Sequence, residues 1–215
     1  MAASGRRVGA ETSKTRDTLL DCVEKMMLED GYASVTYRAL ATKAGVTPSL
    51  VQYYFPALDD IFIAAISRYS TRNLEYLDKM LAKRADEPLH ALWEYSWDEA
   101  TGALMTEFMA LGNHRKSIQA EIASVTESAR KAQLDALTAK FGEDAHPVGG
   151  LSLPALQLLI SSLPKFLNLE KGIGVQTAHA ELTKAFEDQL DAVEPPTTPT
   201  KRSSAPRRRP KKTDG

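Results

Sequence analysis

The side chains of this 215-residue chain that could do chemistry are suited to hydrogen bonding and charge pairing, not to making or breaking covalent bonds. Its four histidines, His90, His114, His146 and His179, are too scattered for an i,i+4 metal pair, and its one cysteine, Cys22, has no partner thiol. No glycine-rich loop follows a strand pattern, and serine, histidine and acid never come together in a local arrangement that would activate a nucleophile. No catalytic centre, metal site or cofactor is therefore expected. The polar residues that do cluster are Thr36, Arg38, Lys43, Thr47, Ser49, Gln52, Tyr53 and Tyr54, with Arg38 and Lys43 the only charged side chains between Gly31 and Leu58. Acids stand just outside, at Asp17, Asp21, Glu24, Glu29, Asp30, Asp59 and Asp60. A cationic, hydrogen-bonding surface without carboxylates is suited to phosphate oxygens and base edges.

Two short helices joined by a tight turn must position those groups. Thr36 can cap a first helix whose inner face is Tyr37, Leu40 and Ala41, and Gly45 supplies the left-handed residue that ends it. Thr47 caps a second, with Pro48 at the first position, where a missing N–H costs nothing. The break before Pro56 limits this second helix to about two turns, with Leu50, Val51 and Tyr54 inward and Ser49, Gln52 and Tyr53 outward. Upstream, Thr15 to Asp30 reads as one helix with Leu19, Val23, Met26 and Met27 on a stripe, and Cys22 as a small core side chain; downstream, Asp59 and Asp60 open a long helix ending near Arg84.

Thr15-Arg16 with Leu19-Leu20, Gly31-Tyr32, Thr36-Tyr37-Arg38-Ala39-Leu40-Ala41, Ala44 through Val51, and Tyr54-Phe55-Pro56 together resemble the N-terminal domain of TetR-type bacterial transcription regulators. The resemblance covers residues 12 to 66. It implies an all-α protein in which an N-terminal three-helix helix-turn-helix DNA-binding domain is joined by a long helix to a C-terminal helical domain for ligand binding and dimerisation. It also implies phosphate contacts from Thr36, Arg38 and Tyr54 and base readout from Thr47, Pro48, Ser49, Gln52 and Tyr53, with Lys43 adding positive charge. Two positions depart from the family: Gln52 stands where an aromatic residue is usual, and Leu58 where a lysine usually opens the fourth helix.

Residues 60 to 194 show only helical patterns, a long segment to Arg84 and then helices opening at Pro88, after Gly102 up to Gly112-Asn113, from Arg115 to Phe141, from Pro154 to Leu169 with Pro164 as a kink or end, and after a Thr177 cap. Trp93, Trp97, Met105, Phe108, Met109 and Phe166 are either core packing or the lining of an apolar cavity. The family resemblance favours a cavity, for a small apolar effector that His114, with His90, Tyr95 and Asn113, would orient, and Arg115 is a candidate for a carboxylate or phosphate. Segment 151 to 171 is apolar almost all round, and 176 to 193 has one apolar face. A second molecule is the expected cover, through Leu156, Leu159, Ile160, Leu163, Leu182, Phe186 and Leu190, and a homodimer is what a palindromic operator requires.

The net charge of −1 hides a strong asymmetry. Lys201, Arg202, Arg207, Arg208, Arg209, Lys211 and Lys212 face only Asp214 after Glu194, and Arg6, Arg7, Lys14 and Arg16 face only Glu11 at the start, so both ends are basic and the body acidic. The expected organisation is a disordered basic arm over 1–14, with Arg6 and Arg7 able to reach a minor groove, a DNA-binding domain over 15–60, an effector and dimerisation domain over 61–194, and a disordered basic tail over 195–215. No apolar run approaches the ~20 residues that cross a bilayer, and Met1 to Arg7 lacks the apolar core of a secretory signal, so the expected compartment is the cytoplasm, with no membrane contact. The expected function is a sequence-specific DNA-binding regulator, a repressor released by its effector. The alternative is a non-specific architectural or adaptor protein that binds DNA through its basic arms.

Overall fold

The computed structural model describes residues 4–195, the side chains of 4–13 and 99–101 excepted. Among the described residues every regular element is helical. Helix α1, Ser4–Asp30, buries Leu19, Leu20, Val23, Met26 and Met27, and Gly31 ends it at a positive φ of 77°. Its backbone is already helical from Ser4, so residues 4–14, expected as a disordered arm, continue the helix instead. No proline interrupts that stretch, and an isolated glycine such as Gly5 or Gly9 costs a helix only ~1 kcal/mol. A single 3₁₀ turn, Tyr32–Ser34, leads to α2, Tyr37–Ala44, and α3, Pro48–Tyr54. The long α4, Leu58–Lys83, then packs Ile61, Phe62, Ala65 and Ile66 back onto this head.

The remaining helices are α5, Pro88–Ser96; α6, Glu99–His114; α7, Lys116–Phe141; α8, Leu153–Gly172; and α9, His179–Val193. Two hydrophobic cores result. One joins α1 to α4 with Leu104, Phe108 and Leu111 of α6 and Ile118 and Ile122 of α7. The other gathers Leu77 and Leu81 of α4 with Leu89, Leu92 and Trp93 of α5, Leu137 of α7, Leu156 and Ile160 of α8 and Leu190 of α9. The head is thus welded to α6 and α7 by continuous apolar packing.

Three sequence expectations are corrected. Gly112 does not end α6: it is buried inside the helix, where a Cβ would lie 2.7 Å from Ile122 Cδ1, so its role is the close approach of α6 to α7. Of the two roles expected of Pro164, kink or end, the end is excluded, since α8 continues to Gly172 with Pro164 buried inside it. Thr177 does not cap α9; the N-cap is Ala178, in left-handed geometry at φ 63°, and the turn is held by His179 Nε2 lying 2.7 Å from Glu170 Oε2. The expected tail lies, from residue 196 onward, outside the described residues.

Helix α5 draws its N-terminal cap from the far end of the chain. Glu87 makes no side-chain cap; instead the buried Glu194 carboxylate accepts from Leu89 N and His90 N, both at 3.1 Å, and the Glu194 carbonyl lies 2.8 Å from His90 Nε2. Burial pushes the Glu194 carboxyl up, and the two backbone N–H groups pull the other way by favouring its charged form. Removing the carboxylate strands two helix N-terminal donors, so Glu194→Ala is expected to destabilise the fold by about 1–3 kcal/mol, read as a lowered urea midpoint at unchanged m-value. An unchanged midpoint would show that the cap is dispensable.

Candidate nucleic-acid interface and effector cavity

The turn between α2 and α3 is built from local hydrogen bonds. Thr36 Oγ1 accepts from Ala39 N at 3.2 Å, Thr47 Oγ1 accepts from Leu50 N at 3.3 Å, and Gly45 at φ 68° and ψ 32° returns its N–H to α2. Only α3's inner edge is buried, through Val51 with Phe55 just beyond its end. The Tyr37 hydroxyl lies 3.0 Å from both the Phe55 and Pro56 carbonyl oxygens, where it donates to the C-terminal end of α3 and ties the two helices together. Arg16 of α1 lies over the Phe55 ring, 5.3 Å from its centroid. Thr47, Pro48, Ser49, Gln52 and Tyr53 are left exposed on one continuous outer surface, with Tyr53 edge-on to the half-buried Tyr54. Arg38 is exposed beside them on α2 and makes no ion pair among the described residues. Lys43 differs: its ammonium is 2.7 Å from Glu29 of α1, an interaction that lowers the Glu29 carboxyl and raises the Lys43 ammonium. The pair is exposed, of the surface kind that contributes little.

Between the two cores lies a cavity of about 470 Å³, within the ~300–1,000 Å³ usual for ligand sites. Tyr69 and Asn73 of α4, Tyr95 of α5, Met105, Thr106, Met109, Ala110 and Asn113 of α6, Val125, Thr126, Arg130 and Gln133 of α7, and Ser161, Lys165, Phe166 and Leu169 of α8 line it. The Tyr95 hydroxyl is pushed up to about 12 by burial, and Tyr69 is raised by the same cause. On the α7 and α8 side, Gln157 Nε2 donates to Gln133 Oε1 at 2.5 Å, and Ser161 Oγ donates to Leu158 O at 3.2 Å, so these polar groups are satisfied by the protein. Lys165 is held below the usual ammonium range by burial and by the Arg130 charge.

Residues 19–65 match the bacterial regulatory proteins of the tetR family. Over 180 residues the chain is 28% identical to the HTH-type transcriptional repressor BepR of Brucella suis biovar 1 (strain 1330), spanning 76% of this chain and 83% of that protein. Among solved structures, a Rhodococcus sp. protein described as a TetR-family transcriptional regulator superposes with a TM-score of 0.66 at 17% identity, covering 84% of this chain and 99% of that one. A TetR transcription regulator from Haloarcula marismortui gives 0.63 at 14% identity, over 84% and 98%. Residues 19–65 thus carry the tetR-family N-terminal domain, on a chain with the fold of the TetR regulators it superposes on.

The cavity differs from the one expected. Met105, Met109 and Phe166 line it, as do Tyr95 and Asn113, but Trp93, Trp97, Phe108 and His114 do not. Trp93 is buried against Trp97 and Phe186, with its Nε1 donating to Glu187 at 3.1 Å. Phe108 is buried edge-on to Tyr69 in the head core, and His114 stacks on Tyr32 at 5.8 Å. Helical spacing marks such rings as inward-facing without saying which of two interiors they enter. His90 is taken up by Glu194, and Arg115 by Asp59 at 2.6 Å and by the Phe62 ring at 5.3 Å. Missed by the sequence reading were Tyr69, Asn73, Arg130, Gln133 and Lys165, polar residues that nothing in their local pattern sets apart. The expected dimer residues split similarly: Leu156, Ile160 and Leu190 are buried within one protomer and cannot meet a partner, whereas Leu159 and Leu182 remain 41% and 44% exposed and Leu163 and Phe186 half-buried. Arg6 and Arg7 lie in helical backbone whose side chains are outside the description.

Arg38 and Gln52 should behave as different kinds of contact. Arg38→Ala is expected to weaken binding to all DNA sequences alike and lower the slope of log K against log salt by about 1. Gln52→Ala should leave the slope unchanged and relax discrimination at one base pair by ~1–3 kcal/mol. Fluorescence-anisotropy titrations across a salt series and a single-mismatch series check both; the same response from both variants would show that the two faces are misassigned.

Proposed function

We propose that this regulator is a repressor that binds a palindromic operator as a homodimer, with α3 of each protomer in a major groove, and that a small molecule in the cavity releases it in the bacterial cytoplasm. The observation that carries the reading is the double duty of α6. One of its faces lines the cavity through Met105, Thr106, Met109, Ala110 and Asn113. The other holds the head: Leu104, Phe108 and Leu111 lie in its core, Glu107 Oε2 accepts from Tyr32 N at 3.2 Å, and His114 stacks on Tyr32. A ligand that displaces α6 therefore displaces the helix-turn-helix. The coupling comes from the ligand binding one position of α6 better than the other.

The repressor sense is supported by the BepR relative. The dimer is supported by an apolar outer face on α8 and α9, where Leu158, Leu159, Phe166, Leu169 and Leu182 are exposed without cover from their own chain. No helix of the described residues is long and apolar enough to cross a membrane.

Selection of genomic fragments by the purified protein at ~150 mM salt, with and without residues 196–215, tests the DNA reading. Both forms are expected to recover one palindrome with half-sites about 10 base pairs, or a multiple, apart. Sequence-independent recovery that disappears with the tail would instead establish the architectural alternative. The double variant Leu159→Glu, Leu182→Glu is expected to elute as a monomer and to lose the palindrome while keeping its helical circular dichroism; a dimer that survives both charges refutes this interface.

A further inference from the structure

We infer that the regulator's effector is an amphipathic anion, an acyl or aryl carboxylate, whose head is held by Lys165 and Arg130 and whose apolar body lies against Met105, Met109 and Phe166. The inference rests on the reading of the cavity as the effector site and goes beyond the small apolar effector expected from sequence. Its basis is the distribution of charge around the cavity. Among the described residues the only charged side chains lining it are Arg130 of α7 and Lys165 of α8, both cations, and no described carboxylate is in the lining. That is unusual in a chain with 28 acidic residues whose basic excess lies at its two ends.

Neither cation is met by a buried carboxylate among the described residues. Lys165 makes no ion pair among the described residues, and it is destabilised as an ammonium both by burial and by the charge of Arg130. Arg130 meets only Glu127, one turn earlier at 3.4 Å, with the Glu127 side chain 72% exposed, an interaction of the surface kind that contributes little. A lysine placed only for packing lowers its energy by extending its flexible stem to water. Two like charges at one apolar cavity are costly unless an anion joins them. A carboxylate suits the pair, because a guanidinium fork can take its two oxygens while an ammonium adds a point charge. The thioethers and ring below provide an apolar bed that an inorganic anion would leave empty.

The full-length protein is titrated with two matched series, decanoate against 1-decanol and decylamine, and 2-naphthoate against 2-naphthol, by calorimetry and by release of the operator fragment recovered above. A carboxylate from at least one series is expected to bind about tenfold or more tightly than its neutral or cationic counterpart, the scale of one charge-assisted hydrogen bond. Lys165→Gln and Arg130→Gln are each expected to lose about tenfold of that affinity while leaving the alcohol unchanged and the melting temperature within a few degrees of the parent, since Lys165 makes no ion pair among the described residues and Arg130 only an exposed one. Equal binding of alcohol or amine, carboxylate affinity unchanged in both variants, or no carboxylate bound at all would overturn the inference. Met109→Trp, which narrows the cavity without touching either cation, separates that failure from failure of the underlying reading. If it alters operator affinity, the cavity remains a control site for a ligand of another class; if operator affinity is unmoved, the effector reading falls as well.

Discussion

A seven-residue helix is not stable in water on its own. Isolated helices shorter than ~12–15 residues are marginal even with favourable composition, and α3 has seven. Everything that α3 does depends on having its ends satisfied and its inner edge buried by the rest of the protein. Thr47 and Pro48 settle its first turn, the Tyr37 hydroxyl meets the carbonyls beyond its last, and Val51 and Phe55 anchor it in a core supplied by α1, α2 and α4. Full burial of two such side chains contributes roughly 1.5–3 kcal/mol each, enough to hold a short helix that makes few hydrogen bonds of its own. The reading surface is stiff because it is borrowed.

The same dependence reaches beyond the head. Its core does not close at α4 but continues into Phe108 and Leu111 of α6 and Ile118 and Ile122 of α7. Polar contacts add to the packing: Arg115 Nη1 donates to Asp59 Oδ1 and the Ser117 hydroxyl donates to Asp59 Oδ2, joining the α6–α7 corner to the start of α4. Gly112 lets α6 and α7 approach more closely than a side chain would allow without a shift of Ile122. Close-packed interiors transmit displacement instead of absorbing it.

What could be read from sequence follows from how far each signal reaches. The caps Thr36 and Thr47, the left-handed Gly45, Pro48 at the start of α3 and the helix spans around them depend on neighbours within four residues, so local pattern suffices. The aromatic residues of the second half depend on which of two interiors a helix face meets, which is decided by packing between distant segments. Trp93 and Phe108 therefore entered cores instead of the cavity, and Leu156, Ile160 and Leu190, correctly apolar, were covered by their own chain. Gly112 and Thr177 show the same limit: a glycine or threonine near an expected helix end has a ready local meaning, and the tertiary meaning prevailed. Glu194 carries no local signal at all, since its partners Leu89 and His90 lie more than a hundred positions away.

Electrostatics around the head resolve an apparent conflict between an acidic body and a polyanionic partner. Five of the seven carboxylates that flank the reading helices are engaged within the fold. Glu24 accepts from Arg68 at 2.8 Å and Arg72 at 2.5 Å, Glu29 meets Lys43, Asp59 meets Arg115, and Asp60 Oδ2 accepts from Ala57 N at 2.8 Å. Arg68 also reaches Asp21 at 2.9 Å and the Asp17 carbonyl at 3.1 Å, so a single guanidinium fastens three turns of α1 to α4. Each pair cancels a negative charge close to its source, and beyond about 8–10 Å what remains is screened at physiological salt. Each such ion pair also engages a cation, as at Lys43. The exposed Arg38 is then the cation beside α3 that no acid claims among the described residues, so an uncancelled positive charge stands at the reading surface even though the body that carries it is negative.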